Sequence, residues 1–254
     1  MDLPRTPSLR VDGKRALITG GTRGIGLAAA AALAEAGAAV TIVARSGVDV
    51  DAVVAALRSA GYSADGAALD VTDFDAMRTL VDRGEPFDIL VNSAGAARHA
   101  TTLEVTERDY RAVMDINVGA TFFASQAVAA RLAAQGKPGS IINISSQMGH
   151  VSGPNRSVYS ASKFAVEGLT KAMAIDLAVH NIRVNSICPT FINTELAAKS
   201  LSDPAFKSWV LSKIKLGRIG RLEDIMGPVV FLASDAAGLM TGSALMVDGG
   251  WTAE

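Results

Sequence analysis

The chain has 254 residues, with 24 Lys and Arg against 25 Asp and Glu, a formal net charge of -1 and a single cysteine. Apolar residues make up 49% and charged residues 19%, enough for a sizeable core, which excludes a disordered chain. The balanced charge and the absence of a basic block argue against nucleic acid as a partner, and one cysteine excludes a disulfide framework or a Cys-rich zinc site.

Residues 1–12 read as a flexible arm with two prolines and no apolar signal core, and Asp12-Gly13 ends it in a turn. The expected location is cytoplasmic. From there strands and helices alternate. Arg15–Thr19 is a short apolar strand, 24–36 an Ala-rich helix closed by Gly37, and Val40–Ala44 a second strand. The span 24–44 is long enough to cross a bilayer. Its alanine content, Gly37 and the strand-like end read better as helix and buried strand. A helix over 49–60 stops at Gly61. A third strand over 63–69 runs into Asp70-Val71-Thr72-Asp73, which can cap the next helix. Asp88–Asn92 is the fourth strand. Thr106, with Asp109 three residues on, opens a helix reaching Ala134, and Gly136, Pro138 and Gly139 make a turn into strand five, Ile141–Ser145. A long helix covers 157–179, strand six Arg183–Cys188, a helical excursion 190–216, a helix 222–233 and a last strand Ala244–Val247. This alternation predicts an α/β fold: a doubly wound parallel sheet of about seven strands, helices on both faces, one domain over 1–254. Such sheets bind ligands at the carboxyl ends of their strands.

At the first of those ends stands Thr19-Gly20-Gly21-Thr22-Arg23-Gly24-Ile25-Gly26, between strand and helix. Glycines there permit a tight turn and close approach of backbone to a phosphate, and the helix N-terminus supplies N–H donors. Alone, the GxxxGxG spacing is a weak signal, and its placement strengthens it. An acidic residue closing strand two would hydrogen-bond a ribose 2′-OH and favour NAD(H). Here Val43-Ala44-Arg45-Ser46 carries no carboxylate until Asp49, and Arg45, Ser46 and Arg23 can converge on a 2′-phosphate. NADP(H) is the favoured cofactor, with NAD(H) the alternative.

Tyr159 and Lys163 lie four residues apart on a predicted helix, so their side chains share a face. A free phenol titrates near ~10, and a neighbouring ammonium lowers that and fits it for proton exchange with a substrate oxygen. Strand five ends in Ser145-Ser146, where a hydroxyl can polarise a carbonyl. Strand four ends in the small residues of Asn92-Ser93-Ala94-Gly95, which let a cofactor lie close. Asn117 is a poor helix-interior residue placed within the helix beginning at Thr106.

Together these motifs resemble the short-chain dehydrogenase/reductase family, single-domain type with a Rossmann-like sheet, similar to its 3-oxoacyl-acyl-carrier-protein reductase and sugar dehydrogenase members. The resemblance runs from about residue 10 to 252. It implies that Asn117, Ser146, Tyr159 and Lys163 form the catalytic tetrad, the serine lying thirteen residues before the tyrosine. Asp70 and Val71 match the pair against the adenine. Ser93, Ala94 and Gly95 match a cofactor loop, with Ser93 replacing its second Asn. The segment from Pro189 through Ile192 to Thr194 matches the part that holds the nicotinamide carboxamide, with Thr190 in place of Gly. The implied reaction is reversible hydride transfer between NADP(H) and a small carbonyl or secondary alcohol. Tyr159 protonates the developing alkoxide, Lys163 lowers the tyrosine and bonds the nicotinamide ribose, and Asn117 positions a water. The implied assembly is a homotetramer, or a dimer, joined through the two long helices.

Gln147, Met148, His150 and Asn155 are candidate substrate contacts. Phe206, Trp209 and Leu211 in the 190–216 excursion form either a substrate lid or packing against the body. His99, His150 and His180 show no metal-ligand spacing, and Cys188 reads as inert core. Gly61-Tyr62-Ser63-Ala64-Asp65 lacks the last glycine of a hydrolase elbow and precedes a strand. Asn155-Arg156-Ser157 matches a glycosylation sequon, irrelevant without secretion. Two rivals stand beside the leading reading. One is an NAD-dependent alcohol or sugar-acid dehydrogenase on the same scaffold, and the other a cofactor-sensing binding protein without catalysis.

Overall fold

Residues 2–253 are described by a computed structural model, with all their side chains except those at 196 and 199, so the first and last positions of the expected domain lie outside the described residues. Seven strands form one sheet: β1 (Arg15–Thr19), β2 (Ala39–Ala44), β3 (Ala64–Ala68), β4 (Ile89–Asn92), β5 (Gly139–Ile144), β6 (Ile182–Pro189) and β7 (Ala244–Val247). Their order is β3-β2-β1-β4-β5-β6-β7, and every pairing is parallel. The chain order reverses between β1 and β4, so the carboxyl ends of those two strands flank a crevice.

The helices are α1 (Gly24–Glu35), α2 (Gly47–Ser59), α3 (Phe74–Val81), α4 (Glu107–Met114), α5 (Ala120–Ala134), α6 (Ser157–Leu177), α7 (Glu195–Leu201), α8 (Pro204–Lys213) and α9 (Glu223–Ala233). Alternate strand residues point to opposite faces. Ala16, Ile18, Ile42 and Ile142 therefore pack against Leu33 of α1, Val50 of α2 and Leu232 of α9. Leu17, Leu90 and Ile141 pack on the other face against Met77 of α3, Val128 of α5 and Met173 of α6. A third apolar cluster joins Met148, Val210 of α8, Ile214 and Trp251 beyond the sheet's carboxyl edge. Among the described residues no helix is long and apolar enough to cross a membrane, and the span 24–44 resolves into α1 and β2.

One stretch differs from the sequence expectation, and one is refined. The helix expected from Thr106 to Ala134 is interrupted by a π-helical turn, Asp115–Gly119, which carries Asn117. The excursion 190–216 resolves into α7 and α8, each opened by its own side-chain cap, Thr194 and Asp203. Residues 2–11 of the expected arm have no regular structure. Its residue Val11 is nevertheless buried, and the Val11 N–H donates to Ala36 O at 2.9 Å.

Candidate active site

The glycine turn follows β1 directly. Gly20 has φ 67° and Gly24 φ 52°, conformations that favour glycine. A Cβ on Gly26 would stand 2.2 Å from the Gly20 carbonyl oxygen, and one on Gly20 2.9 Å from the Ala94 backbone. The turn is thus pressed against the loop leaving β4. Thr19 Oγ1 fastens the two, accepting from the N–H groups of Ser93 and Ala94 at 3.1 and 3.2 Å. Helix α1 begins at Arg23 with no side-chain cap, whereas α2, α3, α4, α7 and α8 are capped by Ser46, Asp73, Thr106, Thr194 and Asp203. Its first N–H groups therefore face the crevice without a side-chain acceptor.

Around that turn the sequence candidates separate. Arg45 is exposed at the end of β2 and draws down the carboxyl of Asp70 as the least of three lowering effects, after the backbone and hydroxyl of Thr72. Ser46 spends its hydroxyl on the Asp49 N–H. Arg23 reaches away to Glu195 of α7 at 3.4 Å, an exposed pair. Thr22 sits half-buried in the turn, Val71 in the core. Ile25, Pro189, Ile192 and Thr194 line a cleft above the turn.

Ser146 and Tyr159 line the same cleft, joined by Gln147 and Met148. The Ser146 hydroxyl donates to Gln147 Oε1 at 2.8 Å and accepts from the Met148 N–H. Desolvation pushes the Tyr159 phenol above its ordinary value, while the Ser146 hydroxyl and the Arg156 charge pull it down. Lys163 is buried, and its Nζ donates to the Ile144 carbonyl at 2.8 Å, 5.8 Å from the Tyr159 ring centre. Arg156 adds a second positive charge near the phenol, while Lys163, turned toward the end of β5, stands behind the ring. Burial pushes Lys163 down to about 8, against the pull of Cys188 and Glu167.

Asn117 is buried under this cleft. Its Oδ1 accepts from Ala96 N–H at 2.8 Å, and its Nδ2 donates to Ala96 O and Ser162 Oγ. The π turn swings this side chain inward and pins the loop carrying Gly95 and Ala97.

Two expected substrate contacts lie elsewhere. Asn155 is exposed at φ 58°, outside the cleft lining. His150 turns behind α6, its Nε2 3.5 Å from both Glu167 Oε2 and Cys188 Sγ. Burial and the Glu167 charge push the Cys188 thiol up to about 12, which leaves it unreactive. In the place of His150 and Asn155 stand two residues the sequence reading did not single out, His99 and Arg156. Arg156 Nη1 lies 2.8 Å from His99 Nε2, and its guanidinium packs over the rings of Phe191 and Phe206 at 5.4 and 5.3 Å. The aromatic side chains of the 190–216 excursion thus pack onto the cleft wall. The available signal was an arginine three residues before Tyr159, inside the discarded sequon.

A family profile described as enoyl-(acyl carrier protein) reductase matches residues 20–252. The chain is 38% identical over 245 residues to D-erythrulose reductase of Gallus gallus, covering 96% of this chain and 98% of that protein. It is 39% identical over 247 residues to gluconate 5-dehydrogenase of Gluconobacter oxydans, covering 95% and 96%. Among solved structures it superposes on a gluconate 5-dehydrogenase from Burkholderia cenocepacia in complex with NADP and tartrate. The TM-score is 0.94, with 39% identity over 97% of this chain and 98% of that one.

Proposed function

The chain belongs to the short-chain dehydrogenase/reductase family of NAD(P)-dependent oxidoreductases, and we propose that it interconverts a ketone and a secondary alcohol on a small polyhydroxylated substrate, using NADP(H). The observation that carries this reading is the convergence of Ser146 and Tyr159 in one cleft directly above an uncapped helix N-terminus.

The residues present fit the dinucleotide. The glycine turn is a cradle that side chains would fill, and the first N–H groups of α1 suit a pyrophosphate. Arg45, exposed and without a carboxylate at the strand end, suits a 2′-phosphate. The Burkholderia relative crystallised with NADP supports the same choice over NAD(H). When bound, NADP(H) supplies or accepts the hydride.

The chain's own side chains manage the oxygen. Ser146 donates its hydroxyl to the substrate carbonyl, leaving Gln147 Oε1 to do so. Tyr159 delivers its phenolic proton as the oxygen becomes an alkoxide, and takes a proton back in the oxidative direction. Lys163 keeps positive charge behind the phenol, and Asn117 holds the loop under it. Replacing Tyr159 by Phe leaves the cleft's shape and removes only the proton. We expect kcat to fall by about 10²–10⁴ with NADPH affinity unchanged. Retention of full turnover by that variant would falsify the mechanism.

A further inference from the structure

The described residues lining the cleft include no Asp or Glu. They do include Arg156, which is only 7% exposed. A guanidinium carries five N–H donors in a planar fork. The acceptor it meets is the ring of His99, and its Nε is buried without a hydrogen-bond partner. The Phe191 and Phe206 rings stabilise the cation through their faces without neutralising it. His99 adds no compensating charge, since partial desolvation and Arg156 beside it push it down to about 4 and keep it neutral at pH 7. Burying a cation without a counter-ion is costly. Arg218 and Arg58 find carboxylates even at the surface, on Asp224 and Asp65.

We propose that Arg156, backed by His99, is an anion subsite that selects substrates bearing a carboxylate, so that the enzyme's substrate class is sugar acids and their keto acids rather than neutral ketoses. The fork of the guanidinium matches the two oxygens of a carboxylate, which a hydroxymethyl group cannot reproduce. Arg156 stands one turn before Tyr159 on the same helix entry, so a molecule held by its carboxylate at one end presents the rest of its carbon chain to the phenol. The aromatic rings of the 190–216 excursion exclude water from the pair, which strengthens it. This inference rests on the oxidoreductase reading above and names the substrate of that same site.

The test uses pairs that differ only by carboxylate against hydroxymethyl. Isothermal titration of the NADP-loaded protein compares tartrate with threitol. Tartrate is expected to bind at least about tenfold tighter, equivalent to about 1.4 kcal/mol. Arg156→Gln is expected to erase the difference with NADPH affinity unchanged, and Arg156→Lys, which keeps the charge, to retain part of it. Turnover compares 5-keto-D-gluconate with L-sorbose, with a kcat/KM ratio of about ten or more expected in the native protein and near unity in Arg156→Gln. Equal binding of tartrate and threitol by the native protein overturns the inference whether or not the variant folds, as does a folded Arg156→Gln that keeps the preference. If neither ketone is reduced while tartrate binds through Arg156, the proposed reaction on a small polyhydroxylated ketone falls and the anion subsite stands.

Discussion

The fate of a single proton on Lys163 sets the pH behaviour of the site. Burial lowers this ammonium from 10.5 to about 8. Between those two values the unfolded chain holds the proton and the folded chain releases it, so stability rises with pH across that window. Below about 8 both forms are protonated and the burial penalty is fully present. Catalysis runs the opposite way, because the charge behind Tyr159 is lost as pH rises through the same value. The Tyr159 phenol itself is pushed above its ordinary range and does not titrate there. A profile of kcat/KM for ketone reduction is therefore expected to hold level near neutrality and to fall above pH 8. A profile flat to pH 10 would remove Lys163 from the mechanism. Arg45 offers a second test at this scale. The end of β2 itself carries no acidic residue, and Arg45→Asp would place there the acid that suits a ribose 2′-OH. The ratio of NADPH to NADH affinity, read by nicotinamide fluorescence, is expected to drop by about tenfold or more, about 1.4 kcal/mol. An unchanged ratio would show that Arg45 is merely solvated.

Elements meet below the cleft through a buried polar network rather than through apolar packing alone. Asn92 at the end of β4 donates to Ser125 of α5 and to Asn143 of β5, each at 2.9 Å, and Asn143 donates to Thr170 of α6. All four residues are buried. The network sets the register of two strands against the two helices that carry Asn117 and Tyr159 into place. Asn143→Ala would remove one bond from the Asn92 amide, which keeps Ser125, and one from the Thr170 hydroxyl, which keeps the Val166 carbonyl, with an expected loss of about 0.5–1.5 kcal/mol per bond. Urea denaturation should show that as a lowered midpoint at constant slope, and a loss under about 0.5 kcal/mol would mean that water replaces the side chain. The strands themselves were readable because Leu17, Ile42, Leu90 and Ile141 sit in short apolar runs between helices of clear length. The π turn was not readable as such. Asn117 announced that something polar interrupts the helix, but the insertion is fixed by bonds to Ala96 and Ser162, far away in sequence. The substrate end was the least readable for the same reason. Arg156 gains meaning only beside His99, Phe191 and Phe206, three residues from two distant loops and a helix, whereas Tyr159 and Lys163 are neighbours on one helix.

At the scale of the whole molecule, α6 has two jobs, and its two faces show it. The inner face carries Tyr159, Lys163 and the buried Val166, Thr170 and Met173. The outer face presents Phe164 and Ile175, 49% and 77% exposed, with Val179 at 78% just past its end. Gly168 and Ala172 fill the stripe between them at helical spacing, and a Cβ on Gly168 would meet nothing within 4 Å. An apolar stripe of large ends and a small middle lets another helix approach closely, and a monomer would leave it wet. That supports the self-association implied by the family resemblance, a homotetramer or a dimer, with α6 packed against its counterpart in another chain. Because the stripe backs onto the catalytic helix, assembly would also stiffen Tyr159 and Lys163 in place. Light scattering behind size exclusion is expected to report four chains, or two, per particle. Ala172→Glu combined with Ile175→Glu places charge on exposed positions that the single chain tolerates, so the particle should split to two chains or one while the far-ultraviolet circular dichroism holds. The split particle is further expected to turn over more slowly with unchanged NADPH affinity, since the cradle at β1 and α1 lies at the other side of the cleft. A native protein that runs as a single chain at micromolar concentration would refute the assembly, and would leave the exposed stripe on α6 without a function.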